Sequence, residues 1–433
     1  MKIKRLVLGI CLTMLSGNMV FAQQETDTSA MMLSLEEAKA VAMEHNRTLK
    51  NASLDVQKAE AARWQSIASM LPQVSGSLNY QNMCGYEMEL GGMNIAMPPS
   101  GTFGISASVA ISGAQIVSTH LGTIAMDMAD ITKKQTEQQI GNQVKSVYYS
   151  ILAMDQTIAL LEKNLINIEK LYETTQRSVE VGVAEQTDAD QLSVQVATMK
   201  TSINATKRSL EMLYNSLRLQ LGVSADQAIV LTQSINELIN VENALSLLGE
   251  EFVLDNNYSY QLLKENVKLS KQQVHLSEWA YGPTLTAGYQ YSAKKYFSDQ
   301  MTMNMTPPNA VSIGLSIPIF SSGKNFTSVK EAKLEYKKQL NTLSDTEESL
   351  RIQHSQLRYN LSSAYETYDT QKKNVEVTQR VLDNISNKYE HGHASSLDVT
   401  NSGTNLISAQ NSYVQALLDF VTAQIALEEL LNK

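Results

Sequence analysis

The sequence predicts a mainly α-helical chain with a membrane β-barrel portion, built from one helix-strand-strand-helix-helix unit used twice. Three observations lead there. The first is internal repetition: Glu180, Gly182, Ala184 and Asp188 return 210 residues later as Glu390, Gly392, Ala394 and Asp398. Upstream, Leu71-Pro72-Gln73-Val74 returns as Gly282-Pro283-Thr284-Leu285, and Ser112-Gly113 as Ser322-Gly323. The second is the placement of proline, since all seven fall in two windows, 72–99 and 283–318. Proline in a helix interior costs about 3 kcal/mol, so the windows are short non-helical regions in a helical protein. The third is a change of hydrophobic period, from about 3.5 residues outside the windows to 2 inside them.

Residues 1–22 read as a secretory signal. Lys2, Lys4 and Arg5 form its basic end, Leu6 to Leu15 its apolar stretch, and Val20-Phe21-Ala22 a small-residue cleavage site. Cys11 lies inside the apolar stretch, which argues against a lipid-anchor cysteine. The mature chain then keeps one cysteine, Cys84, and a disulfide framework is excluded. Losing three basic residues takes the net charge from −9 to −12, against nucleic acid as a partner, because phosphate binding wants clustered cations. No later apolar run is long enough for a transmembrane helix, so a membrane-spanning mature chain must span as a closed sheet.

The first repeat occupies 23–222. A helix is expected over roughly 35–70, then strands at 72–82 and 102–112. Val74, Gly76, Leu78 and Tyr80 alternate with polar residues, as do Phe103, Ile105, Ala107, Val109 and Ile111 with small ones. A long helix follows over 113–178, in which Ile140, Val144, Val147, Ile151, Met154 and Ile158 alternate spacings of four and three. The chain reverses at Gly182 and a shorter helix covers 188–221. Residues 223–243 are less regular and read as a linker packed on the helices.

The second repeat occupies 244–433: a helix over 244–281, strands at 283–294 and 310–320, then helices over 324–388 and 398–432. Leu285, Ala287, Tyr289 and Tyr291 alternate in one strand, and Val311, Ile313, Leu315 and Ile317 in the next. Strands of about ten residues with one apolar face have the length and dyad pattern of a membrane barrel. The loops between paired strands, 82–101 and 295–309, are long, as outward barrel loops tend to be. Tyr80, Tyr86, Tyr281, Tyr289, Tyr291 and Tyr296 are candidates for its aromatic girdles.

A 3.5-residue period held this long means supercoiled helices packed along their length. In each half the two short helices together match the long one, so they should stack end to end beside it in a column about 100 Å tall. Four strands cannot close a barrel alone, and an open edge in hydrocarbon is not viable. The strands must therefore share one barrel between subunits. Two subunits would give eight strands and a filled interior; three would give twelve and room for passage.

With these features in place the chain resembles the TolC-type outer-membrane efflux proteins over essentially its whole mature length. Leu35-Glu36-Glu37-Ala38, His45-Asn46 and Ala59 to Ala62 before Leu71-Pro72 resemble that family's opening helix. Ile317-Pro318-Ile319-Phe320-Ser321-Ser322-Gly323 resembles its strand-to-helix junction, and Val181-Gly182-Val183 and Tyr389-Glu390-His391-Gly392 its two periplasmic turns. The resemblance implies a homotrimer in outer-membrane lipid, with a twelve-stranded β-barrel continued by a twelve-helix periplasmic α-barrel. It also implies docking to a periplasmic adaptor and, through it, to an inner-membrane pump.

The resemblance further assigns site residues. Val181, Gly182, Val183, His391, Gly392 and His393 would face the adaptor, although glycine at a helix reversal is needed for its backbone alone. Asp188, Tyr389, Asp398 and Asn401 fall at the periplasmic gate. Asp398 matches a ring of aspartates, whose mutual repulsion would raise their pKa values and attract cations. Asp188 and Tyr389 match a hydrogen-bonded link between helix pairs; the plain alternative for the aspartates is helix capping. Asn401 stands where a second aspartate ring would be, and Ala394 where an arginine link would be.

No nucleophile elbow, phosphate loop or Cys/His ligand cluster appears, so neither an enzyme nor a cofactor or metal is expected. His391 and His393 flank Gly392 as turn residues. Met83, Met88, Met93, Met97, Met301, Met303 and Met305 load the strand-connecting loops. Thioethers suit Cu(I), yet flexible apolar filling accounts for them as well. The leading expectation is the passive exit duct of a tripartite efflux system exporting small molecules. The alternatives are the exit duct of a type I protein secretion system, copper or silver export, and a periplasmic coiled coil with no pore.

Overall fold

The computed structural model describes residues 30–297 and 307–433. The expected signal at 1–22 and Met301, Met303 and Met305 lie outside the described residues. A short strand β1 (Met31–Leu33) leads into helix α1 (Leu35–His45), which Ser34 and Glu37 open with reciprocal capping bonds. The expected single helix over 35–70 is broken at Asn46, and α2 (Arg47–Ala68) starts afresh. Strand β2 (Gln73–Gln81) follows, then a hairpin of β3 (Glu87–Leu90) and β4 (Met93–Ala96), then β5 (Ser100–Ser112). The small hairpin sits in a segment whose Gly and Pro content reads as plain loop. Helix α3 (Gly113–Glu180) runs 68 residues, about 100 Å, and α4 (Gln186–Leu221) returns alongside it.

The linker holds β6 (Ile229–Leu231) and the short helices α5 (Ile235–Leu238) and α6 (Val241–Ser246). Strand β6 pairs in parallel with β1, a contact between distant three-residue segments that no local pattern announces. The helix expected over 244–281 is only partly formed. After α6 come two single 3-10 turns, and α7 (Tyr258–Glu278) begins only where Asn257 caps it. Leu247, Leu248 and Phe252 instead pack into the core from irregular backbone. Strands β7 (Thr284–Tyr296) and β8 (Asn309–Ser316) precede α8 (Lys324–Glu390) and α9 (Ser396–Leu431). The expected strand over 310–320 thus ends four residues early, just before Ile317-Pro318.

The end-to-end stacking has a specific joint. The Asn46 carboxamide oxygen accepts from Thr48 N at 2.8 Å and Leu49 N at 3.2 Å, capping α2. Its Nδ2 donates to the Gln220 carbonyl at 2.7 Å, closing the C-terminal end of α4. Gly222, at φ +70°, fits there because a Cβ would lie 2.4 Å from the His45 carbonyl oxygen. Asn257 repeats the device, accepting from Tyr260 N at 3.2 Å and donating to the Leu430 carbonyl at 3.3 Å. One buried asparagine per repeat therefore splices two helices, supplying an acceptor to one end and a donor to the other. The spliced pairs, of 22 and 36 residues and of 21 and 36, are shorter than the 68- and 67-residue helices beside them.

The main core lies at mid-height, where the linker and α1 meet the long helices. Tyr148, Ile151, Leu217, Leu361, Leu417 and Phe420 are fully buried there. The hydroxyls of Tyr148 and Tyr149 donate to the carbonyls of Leu33 and Leu238, at 3.0 and 3.1 Å. Desolvation pushes the Tyr149 hydroxyl up to about 12, so it stays a donor.

The four long strands form one antiparallel sheet in the order β2-β5-β7-β8, with the two repeats joined by β5 and β7 from Ser100↔Tyr296 to Ser112↔Thr284. Among the described residues β2 and β8 each have one unpaired edge, and the four strands close no barrel. The register stacks Val74, Ala107, Tyr289 and Val311 in one row and Ile111, Leu285 and Leu315 in another, all on one face. Ser75, Ser106, Gln290 and Ala310 share a row on the other, where the two serine hydroxyls meet at 2.8 Å. Of the expected girdle tyrosines, Tyr80 lies on the apolar face at the end remote from the helices. Tyr296 falls on the opposite face, paired with Ser100, because its register position has the other parity. Among the described residues no helix is long and apolar enough to cross a membrane.

Candidate gate and docking tip

At the end of the helical column remote from the sheet, α3 and α4 form one hairpin and α8 and α9 a second. Each reversal is a helix C-terminus closed by a glycine with positive φ, +78° at Gly182 and +74° at Gly392. Val183 N donates to the Ser178 carbonyl and His393 N to the Lys388 carbonyl, each at 2.8 Å. These turns present side chains to solvent: Val181 is 75% exposed and Val183 81%. His391 and His393 are also exposed, and the His391 ring nitrogen Nδ1 sits 2.7 Å from the Asn387 carbonyl, to which it donates. Among the described residues no group of three or more His, Cys, Asp or Glu could hold a metal ion.

The residues expected at the gate all come to this end, where Asp188 and Tyr389 each bond to a partner on the other hairpin. The Ser396 hydroxyl donates to Asp188 Oδ1 at 2.8 Å, tying the start of α9 to the start of α4. The Tyr389 hydroxyl pairs with the Thr175 hydroxyl at 2.8 Å, tying the end of α8 to the end of α3. Both bonds cross between hairpins. Thr175 is fully buried and Ser396 nearly so, which shields the bonds from water. Sequence reading missed both partners, because a lone Thr or Ser on a helix is by default a solvated group.

Asp398 behaves differently. Its Oδ2 accepts from Ser395 N at 2.9 Å and from the Ser395 hydroxyl at 2.7 Å, completing a capping box at the start of α9. Those bonds, the backbone one foremost, hold its carboxyl below the usual aspartate value. The direction is opposite to the rise expected from a ring of like charges, because within the chain hydrogen bonds to the charged form act on an exposed group. Asn401 lies one turn further along the same exposed face.

Behind the tip, a cavity of about 280 Å³ opens between the four helices, with Leu171, Leu192, Leu382, Tyr389, Val399 and Ile407 on its walls. Above it Asn164 Nδ2 donates to Gln410 Oε1 at 3.0 Å in a buried position. Around this space the two hairpins are joined by polar contacts and by Ile407, which packs against the apolar cluster of Leu161, Met199 and Ile203. Space left unfilled lowers the packing contribution to such an interface.

The arrangement defines a class: a membrane-type sheet carried on a long helical stalk whose far end is closed by two linked hairpins. The chain belongs to the outer membrane efflux protein family, whose sequence profile matches residues 40–223 and 253–433. It is 24% identical over 302 residues to the outer membrane efflux protein BepC of Brucella suis, covering 68% of this chain and 63% of that relative. It is 22% identical over 419 residues to the probable efflux pump outer membrane protein TtgC of Pseudomonas putida, covering 92% and 83%. The fold is that of the Vibrio cholerae outer membrane protein VceC, with a TM-score of 0.73 at 15% identity, covering 92% of this chain and 95% of that one. The chain is an outer-membrane transport protein of a Gram-negative bacterium, with its helical part extending into the periplasm.

Proposed function

We propose that this chain is the passive exit duct of a tripartite efflux system for small molecules. Three copies place their strands in one twelve-stranded barrel and their helices in one periplasmic tunnel. A periplasmic adaptor docks at the tip around Val181, Gly182, Val183, His391, Gly392 and His393. An inner-membrane pump supplies the energy through that adaptor. Asp188, Tyr389, Asp398 and Asn401 belong to the closed end that docking opens.

The observation that carries this reading is the four-stranded sheet with an apolar face and two unpaired edges, β2 and β8. In hydrocarbon each unpaired backbone group costs several kcal/mol, so the edges need partners, and copies of the same chain offer matching ones. Twelve strands leave a lumen, whereas eight are filled by side chains. The Pseudomonas putida relative is a probable efflux pump outer membrane protein, which supports efflux as the process.

Detergent-solubilised protein should migrate as a trimer that heating dissociates, and should conduct ions across planar bilayers. A monomer soluble without detergent would overturn the reading.

A further inference from the structure

The four long strands carry only two charged residues, Lys294 and Lys295, both near the end of β7 remote from the helices. They point to opposite faces. Lys294 shares the polar face with Tyr296, its ammonium 4.8 Å from the ring centroid. Lys295 is the single charge on the apolar face, in the row Tyr80↔Gly101↔Lys295. A cation on a lipid-facing surface is unfavourable at mid-membrane and tolerated at the margin, where a long stem reaches the headgroups.

Its height fits that margin. Leu285, the first apolar-face residue of β7, is ten residues from Lys295, about 34 Å along a strand. At the usual barrel tilt this is about 25 Å across the membrane, the height of an apolar band. Beside Lys295 lies an aromatic ledge. The Phe297 ring covers Gly101, where a Cβ would sit 3.2 Å from it, and its centroid is 5.9 Å from that of Tyr80. Aromatic rings with an adjacent cation suit the boundary between acyl chains and headgroups.

We infer that this rim, Lys295 flanked by Tyr80 and Phe297, docks a lipid of the outer leaflet by the phosphate of its headgroup. The inference rests on the outer-membrane duct reading. The ammonium meets the phosphate, and the Tyr80 and Phe297 rings cover the upper acyl chains. Three copies would carry three such sites around the barrel mouth.

The test uses the full chain reconstituted in phosphatidylcholine containing a minor fraction of phosphatidylglycerol. The lipids retained by the extracted protein are then counted by mass spectrometry. The wild type should enrich the anionic lipid about fivefold over the bulk ratio, as expected for one surface cation. Lys295→Gln should return to the bulk ratio, whereas Lys295→Arg and Lys294→Gln should retain the enrichment. Equal enrichment in the wild type and Lys295→Gln overturns the inference and leaves the duct reading intact. Loss of enrichment on adding inorganic phosphate overturns it in favour of a free-anion site. A chain that fails to enter the bilayer overturns the duct reading itself.

Discussion

Asp188 and Asp398 hold equivalent places in the two repeats, yet one bonds across the hairpins and the other bonds to its own helix cap. The difference traces to the residue three positions earlier. Ser395 caps α9 and engages Asp398 through both its backbone and its hydroxyl. Glu185 occupies the matching position before α4, makes no side-chain capping bond, and leaves Asp188 to accept from Ser396 instead. The two repeats thus carry one acid in equivalent places with different partners, and Asp188 is the one that tethers the hairpins. With Tyr389 and Thr175 it forms a pair of bonds holding the tip together.

Those bonds should set how readily the tip opens. A neutral hydrogen bond contributes about 1 kcal/mol and one to a carboxylate about 1.5–3 kcal/mol. Ser396→Ala combined with Tyr389→Phe should therefore raise the open fraction in planar bilayers by roughly tenfold or more, while the chain still reaches the membrane. Single-channel recording is the check, and an unaltered open fraction would count against the tether.

The Asp398 carboxyl should be charged over a wide pH range. Its folded pKa is depressed by Ser395, so the stabilisation from the charged form is present above the ordinary aspartate value and lost as pH falls through the lowered one. If three Asp398 side chains attract cations in the lumen, block by a multivalent cation should persist as pH falls past the ordinary aspartate value. Ser395→Ala should move the loss of block to higher pH, and Asp398→Ala should remove it. Block already lost above the ordinary aspartate value would mean that repulsion between copies outweighs the cap.

The sequence made the large elements legible because each rests on a long local pattern. The heptads of α3 and α9 and the alternation of β2, β5 and β7 survive any single exception. Elements set by distant contacts were not legible. The pairing of β1 with β6 joins segments almost 200 residues apart, and the start of α7 depends on Asn257 meeting the end of α9. The tip followed the same rule. Gly182 and Gly392 announce the turns, whereas Thr175 and Ser396 matter only because Tyr389 and Asp188 come to lie opposite them.

The asparagine joints should be sensitive to chemistry as well as size. Asn46→Ala removes an acceptor from α2 and a donor from α4 in a buried site, at a cost of about 2–4 kcal/mol. Asn46→Asp keeps the cap but sets a carboxylate oxygen against the Gln220 carbonyl. It should unfold at lower temperature than wild type at neutral pH, and recover part of the loss in acid as the carboxyl protonates. Asn257→Ala should cost less, since its bonds are longer, at 3.2 and 3.3 Å. Thermal melts followed by circular dichroism would show whether the two joints rank in this order.

If an adaptor docks at the tip, the sharpest demand falls on Gly182. Its φ of +78° disfavours any side chain, but by only about 1–2 kcal/mol, and a Cβ there meets no atom within 4 Å. Gly182→Arg should therefore fold and reach the outer membrane while placing a charged side chain between Val181 and Val183. Export should fall to the level of a deletion strain, with the amount of trimer unchanged. Gly182→Asn carries no charge and tolerates the left-handed region, so it should retain most activity. If the arginine variant exports normally, the turn is needed for its backbone alone and docking lies elsewhere on the stalk.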